Sequence, residues 1–294
     1  MRQLKGILRL GVLVTLLLCI FCFSREGLTS SQHTVRLGIV TSFSTDHTAE
    51  HLEMVSSLSA TGYEGELFIY FMHKAGELDK GEVPDLIRRY ELRLHEISLR
   101  ARIFTYEVHS DYETYCFKPS IVQDFLNHAD VDVLMWSDSS TRFNGNPSNW
   151  AKNMLKDKIN FVGREGAMGM SENTDPRTYK FLDVSPTKFR KRFEVQAGHW
   201  LAVINSDVFD SVLRPWMDCG IRYCQVCMSP VGSFRKLKRR QSGPPSVDYI
   251  GHRQDQAVLS ILLAEWQSGG GSLHLNNDPR YIDLEVVRSY KNPF

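Results

Sequence analysis

Neither charge sign dominates this chain: 35 Lys and Arg stand against 34 Asp and Glu, a formal net charge of +1 over 294 residues. Such a balance projects no long-range positive field, which argues against a dedicated nucleic-acid binder. No segment recurs at a fixed spacing of about 20 to 50 residues, so solenoids and propellers are poor candidates. Neither a G-x-S-x-G nor a Walker A string is present, which leaves no sequence support for serine hydrolases of that type or for P-loop NTPases. The Asn146-Pro147-Ser148 triplet is no glycosylation acceptor, because proline blocks the sequon, and no other acceptor asparagine is evident. No linker separates two domains. With 42% apolar and 11% aromatic residues, the chain is too hydrophobic for disorder and long enough to bury a large core. A single globular α/β or α+β domain remains.

The N-terminus bears on the compartment. Arg2, Lys5 and Arg9 precede an uncharged apolar run, Leu10 to Phe23, of fourteen residues. A spanning helix needs about 17 to 25 residues, and snorkelling by Arg9 extends the usable stretch back to Gly6. The residues after the run, Ser24 and Arg25, make a poor cleavage site, so an uncleaved signal anchor is expected ahead of a cleaved signal peptide. Positive charge before the span keeps the N-terminus cytoplasmic. The expected layout is a tail at 1–9, an anchor at 10–23, a stem at 24–34 and a lumenal domain at 35–294, in a single-pass type II protein of the Golgi or ER membrane.

Six cysteines are present, two of them, Cys19 and Cys22, inside the apolar run. Cys116, Cys219, Cys224 and Cys227 would then face an oxidising lumen, where disulfides persist. The Cys219, Cys224, Cys227 spacing imitates a metal site but has no fourth ligand nearby. Three clustered cysteines can form only one bridge among themselves, so one must reach Cys116. The expected pairs are Cys219–Cys227 and Cys116–Cys224.

Apolar runs alternate with helical periodicity through the first half of the lumenal part. Val35 to Thr41, Glu66 to Phe71, Ala101 to Val108 and Val131 to Trp136 read as strands, and Ala49 to Leu58, Pro84 to Ile97 and Pro119 to His128 as helices. This alternation predicts a largely parallel sheet covered by helices on both faces. Further on, a helix is expected near Asn149 to Lys158, a strand at Trp200 to Asn205, and helices at Val208 to Trp216 and Gln256 to Trp266. Lys236 to Ser246 and Gln267 to Ser272 read as loops.

In open parallel sheets ligands gather at the carboxyl ends of strands. Asp138 stands there, after Val131 to Trp136 and beside Ser137, Ser139 and Ser140; its alternative role is to cap a turn. Tyr115 to Phe143 resembles the segment of GT-A nucleotide-sugar glycosyltransferases in which a helix feeds a strand ending in D-x-D. Gln196 to Phe209 resembles their sugar-site strand, and Gly251 to Leu263 their late His and Asp-Gln helix start. Together with Pro215 to Gly232, the order is similar to an animal family of type II membrane proteins of unknown function with GT-A-like sequence. The resemblance spans roughly Val35 to Trp266 and implies a single GT-A-like, Rossmann-like α/β domain behind an N-terminal membrane anchor. It implies transfer of a sugar from a nucleotide-sugar donor to a glycan or glycoprotein acceptor.

Position by position, Asp138 matches the first acid of D-x-D and Ser140 stands where the second belongs. That departure weakens a Mn²⁺ or Mg²⁺ site, for which Asp138 with His252 is the remaining ligand set. The alternative is a metal-free site in which basic side chains face the diphosphate: Lys118, Arg142 and the run Arg235, Lys236, Lys238, Arg239, Arg240. That run also reads as a solvated loop. Thr41 and Ser42, at the end of the first strand, join Lys118, Asp138, Ser140 and Arg142 as donor-site candidates. Gly198, His199 and Gln256 are acceptor or sugar-site candidates. Asp255 is the candidate catalytic base, or else a first-turn helix acid.

Two other classes compete. Ser140 motivates a GT-A-shaped lumenal scaffold or binding protein without catalysis. His47, Glu50 and His51 spell H-x-x-E-H, the order of inverted zinc peptidases, without an identifiable third ligand. If Leu10 to Phe23 is an anchor, the full chain stays with membranes through alkaline carbonate extraction and keeps its N-terminus. A soluble product beginning near Arg25 would reject the anchor.

Overall fold

The computed structural model describes residues 34–77, 82–108, 115–228, 254–275 and 278–287. The expected tail and anchor, the basic run at 235–240, the loop at 236–246 and His252 lie outside the described residues. No helix among the described residues is long and apolar enough to cross a membrane. The chain divides into two units, Met1–Thr34 and Val35–Phe294, and every described strand and helix belongs to the second.

In chain order the elements are β1 (Leu37–Phe43), α1 (Thr48–Ala60), β2 (Glu66–His73), α2 (Glu82–Glu96), β3 (Ala101–Glu107), α3 (Phe117–His128), β4 (Val133–Ser137), β5 (Thr141–Phe143) and α4 (Pro147–Lys156). They continue with β6 (Phe161–Val162), β7 (Glu165–Gly169), α5 (Met170–Asn173), α6 (Pro176–Phe181), β8 (Phe193–Val195), β9 (His199–Val203), α7 (Arg214–Arg222), α8 (Gln254–Ser268), β10 (Leu273–His274) and β11 (Leu284–Val286). Seven strands form the main sheet in the order β3-β2-β1-β4-β9-β6-β10. Only β9 among them runs against its neighbours, pairing antiparallel with β4 and β6.

Strands β1 and β4 are buried along their whole length, and β2 from its second residue onward. That is the burial expected of continuous apolar runs in a sheet covered on both faces. One face packs Val40, Phe68, Leu134 and Trp136 against α3, α7 and α8. The other packs Ile39, Leu67, Ile69 and Met135 against α1, α2 and α4. The expected α/β class and mostly parallel sheet are therefore present. Edge strand β3 has no fully buried residue and mixes half-buried with exposed positions.

Helix α1 buries His51, Met54, Val55 and Leu58, and α3 buries Lys118, Ile121, Val122 and Phe125. Both sets have the i, i+3, i+4, i+7 spacing of one helical face. A lysine thus occupies a core position of α3. Helix α4 begins earlier than its periodicity suggests, because Asn146 accepts from the Ser148 backbone N–H at 2.9 Å and Pro147 supplies the first helical φ.

The helix expected to end at Trp216 is a π turn, Phe209–Leu213, followed by α7, which continues to Arg222. Pro215 does not stop it, because it follows directly on the π turn, whose wider i→i−5 bonding runs from the Arg214 N–H to the Phe209 carbonyl. Strands β5, β7, β8 and β11, in two small antiparallel sheets, carry too few residues to show a period. Disulfides join Cys116 to Cys224 and Cys219 to Cys227, with Cα separations of 5.9 and 5.6 Å. The first ties the start of α3 to the segment after α7.

Helices α3 and α7 meet where Gly220 faces Pro119, and a β-carbon at Gly220 would overlap the proline ring. Gly220→Ala is expected to destabilise the fold by about 1–3 kcal/mol through overpacking. Urea denaturation of the variant against the parent chain measures it, and an unchanged midpoint would contradict this packing.

Candidate functional site

The chain leaves β1 for β2 and β3 on one side, then crosses back to place β4 on the other side of β1. The gap beyond the carboxyl ends of β1 and β4 is a topological switch point, where open α/β sheets bind ligands. A pocket of about 310 Å³ lies there. Ser42, Phe43 and Ser44 line it from β1 and its exit, and Asp46, His47 and Glu50 from the start of α1. Tyr115, Phe117 and Lys118 line it from the start of α3, and Asp138, Ser139 and Ser140 from the turn after β4. A larger hollow of about 730 Å³ lies over β3 and α3. It is more open and holds no comparable charge cluster; its Asp124 accepts a 2.8 Å hydrogen bond from Tyr70 Oη.

Beneath the pocket is a chain of three charged side chains. Lys118 Nζ lies 3.0 Å from Asp138 Oδ1 and 3.2 Å from Asp255 Oδ2. The lysine and Asp255 side chains are 6% and 7% exposed, whereas Asp138 is 33% exposed and is the carboxylate of the pair that lines the pocket. Trp136 Nε1 donates to Asp138 Oδ1 at 2.7 Å, and the Asp138 backbone N–H donates to the Gly198 carbonyl at 2.7 Å. A β-carbon at Gly198 would stand 2.9 Å from Asp138 Oδ2, so the glycine makes room for the carboxylate. Tyr115 and Trp136 present their rings to the ammonium, with centroids at 5.4 and 5.5 Å.

Burial by itself would lower the proton affinity of Lys118, but Asp138 and Asp255 outweigh it and hold the lysine protonated. Burial raises Asp255 above the usual carboxylate range, Lys118 opposes the rise and Asp138 adds to it. Tyr115 and Gln254, close to Lys118 and Asp255 in sequence, have positive φ of 53° and 29°. Such backbone strain in non-glycine residues clusters at functional sites.

The structure therefore brings Lys118, Asp138, Gly198 and Asp255 together and puts Ser42 and Ser140 on the pocket wall. His199, at the start of β9, is buried, and its Nε2 has no hydrogen-bond partner among the described residues. Burial first, and then the charges of Arg164 and Lys118, push its pKa down to about 3. Other candidates sit elsewhere. Thr41 is in the core, with Oγ1 3.2 Å from His51 Nε2. Arg142 braces its own turn, donating to the Ser139 and Thr141 carbonyls at 3.0 and 2.9 Å and pairing with Glu53. Gln256 donates to the fully buried Glu194 at 2.6 Å.

Trp136, Tyr115, Phe117 and Glu194 were not among the sequence candidates. Only Trp136 carried a local signal, as the last apolar residue before Asp138.

The H-x-x-E-H string does not form a zinc site. His51 is stacked on Phe43 at 4.4 Å and engages Thr41 and Tyr90 with its two ring nitrogens. His47 contacts Glu50 at 2.9 Å on the pocket side. Among the described residues no three His, Cys, Asp or Glu side chains converge to hold a metal. The donor set at Asp138 fits a divalent cation poorly for a further reason: an ammonium already lies against its carboxylate.

No protein-family model and no curated protein matches the chain. Among solved structures it is similar to the glycosyltransferase GlyE of Streptococcus pneumoniae TIGR4, at 11% identity and a TM-score of 0.39. The match covers 83% of this chain and 46% of that one, so the chain spans less than half of that protein's length.

Burial first, and then Arg142, lower His51 from 6.5 to about 3. Because the folded state resists the proton, the stability carried by neutral His51 is complete above pH 6.5 and is lost as pH falls toward about 3. His51→Gln should remove about one proton from the pH dependence in that window, leaving the share of His199. Urea midpoints measured across the window test this, and an unchanged slope would contradict it.

Proposed function

We propose that the Val35–Phe294 unit is a glycosyltransferase that binds a nucleotide sugar in the switch-point pocket and moves the sugar to a hydroxyl of a glycan or glycoprotein acceptor. The observation that carries this reading is the acid–lysine–acid chain beneath that pocket, with its outer carboxylate facing the ligand space. Hydroxyls of Ser42, Ser139 and Ser140 on the wall suit phosphate oxygens, and the rings of Tyr115 and Phe117 suit a base. In the transfer, the acceptor oxygen bonds to the anomeric carbon, the bond from that carbon to the diphosphate oxygen breaks, and the hydroxyl proton passes to a carboxylate. Asp138 is assigned that proton, because it is the carboxylate of the three-membered chain that lines the pocket, whereas Asp255, the sequence candidate, lies behind Lys118. Catalysis then comes from positioning and fixed charge.

The same proposal places the unit in the lumen of the Golgi or ER behind the Leu10–Phe23 anchor. Two disulfides and the apolar run support that compartment. A second reading, a non-catalytic scaffold of the same shape, is favoured by one observation: both inner charges are compensated and almost fully buried.

Thermal shift of the full chain against UDP, GDP, ADP and dTDP and their sugars is expected to show stabilisation by one base class. Asp138→Asn should keep that binding while transfer or donor hydrolysis falls by about 100-fold or more. Binding without turnover in the parent chain would favour the scaffold, and no stabilisation by any nucleotide would reject the proposal.

A further inference from the structure

Two carboxylates brought close together beneath a pocket need a positive charge between them, either a metal ion or an ammonium. Here Lys118 stands there, 3.0 Å from one carboxylate and 3.2 Å from the other. A Mg²⁺ ion shared by the same oxygens would lie about 2.0–2.1 Å from each, in the volume that the ammonium fills. Ion and ammonium exclude each other.

The lysine cannot easily step aside. It belongs to the buried stripe of α3, together with Ile121, Val122 and Phe125. Its ammonium also lies 3.5 Å from the Ala197 carbonyl and faces the Tyr115 and Trp136 rings. The Cys116–Cys224 bridge anchors the chain two residues before it. On the other side of the turn, Ser140 supplies a hydroxyl rather than a second outer carboxylate. The pocket floor therefore carries a fixed positive charge beside Asp138, with Asp46 and Glu50 on the wall near α1.

We infer that Lys118 is the resident cation of this site, taking the place of a divalent ion between Asp138 and Asp255, so that the chain binds a nucleoside diphosphate without metal. The inference rests on the nucleotide-sugar reading above. In this arrangement Asp138 orients the ammonium, and the ammonium lessens the repulsion between the two carboxylates and the diphosphate without neutralising it. A lysine acts as a point charge with three donors and needs no fixed coordination geometry.

The test uses calorimetric titration of the full chain with UDP and GDP, in EDTA and in millimolar Mn²⁺. The parent chain is expected to bind one of them with affinities agreeing within about twofold in the two buffers. Lys118→Ser, which vacates the ammonium and leaves both carboxylates, is expected to lose about tenfold or more in EDTA and to recover with Mn²⁺. Mn²⁺ alone should raise the melting temperature of that variant and not of the parent. Adding Asp138→Asn to Lys118→Ser should abolish the Mn²⁺ effect.

Binding by the parent chain that requires Mn²⁺ would overturn the inference while leaving the nucleotide-sugar reading standing. Undiminished affinity of Lys118→Ser in EDTA would overturn it too. Failure of the parent to bind either nucleotide in both buffers would count against the reading beneath it. If Lys118→Ser does not fold, the comparison of the two buffers on the parent chain decides by itself.

Discussion

One ammonium group buried between two carboxylates organises the centre of this protein. An ion removed from water without a partner is destabilising by several kcal/mol, so Lys118 can occupy the core stripe of α3 only if Asp138 and Asp255 are already placed around it. Those acids come from the end of β4 and the start of α8. Sheet, α3 and α8 must therefore be docked together before all three charges are compensated. Removing one partner from such a group leaves an uncompensated charge worth about 3–5 kcal/mol, which makes the network a condition on the fold as well as on the site.

Several features that look unrelated serve this contact. Gly198 has no side chain where Asp138 needs space, and Trp136 turns its indole N–H to the same carboxylate. Trp216 Nε1 donates to the Asp255 carbonyl at 3.1 Å, fixing the first turn of α8. The Cys116–Cys224 bridge holds the entry to α3, and the close fit of Gly220 on Pro119 sets the distance between α3 and α7. These contacts limit how far the charged chain can move, and rigid support of that kind keeps a site in working geometry.

The electrostatics divide the site into an outer and an inner part. Asp138 meets the pocket, while Lys118 and Asp255 lie behind it in a low-dielectric setting where their interaction is strong. His199 extends the buried polar region and stays neutral because two cations and its own burial oppose its charging. In the proposed transferase such a gradient would let substrate charge be felt at Asp255 without solvent reaching it.

Much of the scaffold was legible in local sequence, because its signals are local. Unbroken apolar runs mark strands covered on both faces, and four-residue stripes mark the buried sides of α1 and α3, whereas the start of α4 at Asn146-Pro147 was missed by a reading that followed periodicity to Asn149. Asp138 was legible for the same reason, as the acid that ends an apolar run. The short strands β5, β7, β8 and β11 were not, since their three to five residues carry no clear period. The H-x-x-E-H string misled because its spacing describes one helix face and not what that face meets: His51 points into a core of Phe43 and Tyr90. Arg142 misled likewise, its charge being engaged by neighbouring carbonyls and Glu53. By itself, the sequence determined the alternation of elements, the buried faces and the number of cysteines open to pairing. Only the tertiary structure decided that Lys118 meets Asp138 and Asp255, because a contact between side chains distant in sequence depends on strand order and helix docking, and neither leaves a periodic trace in the chain.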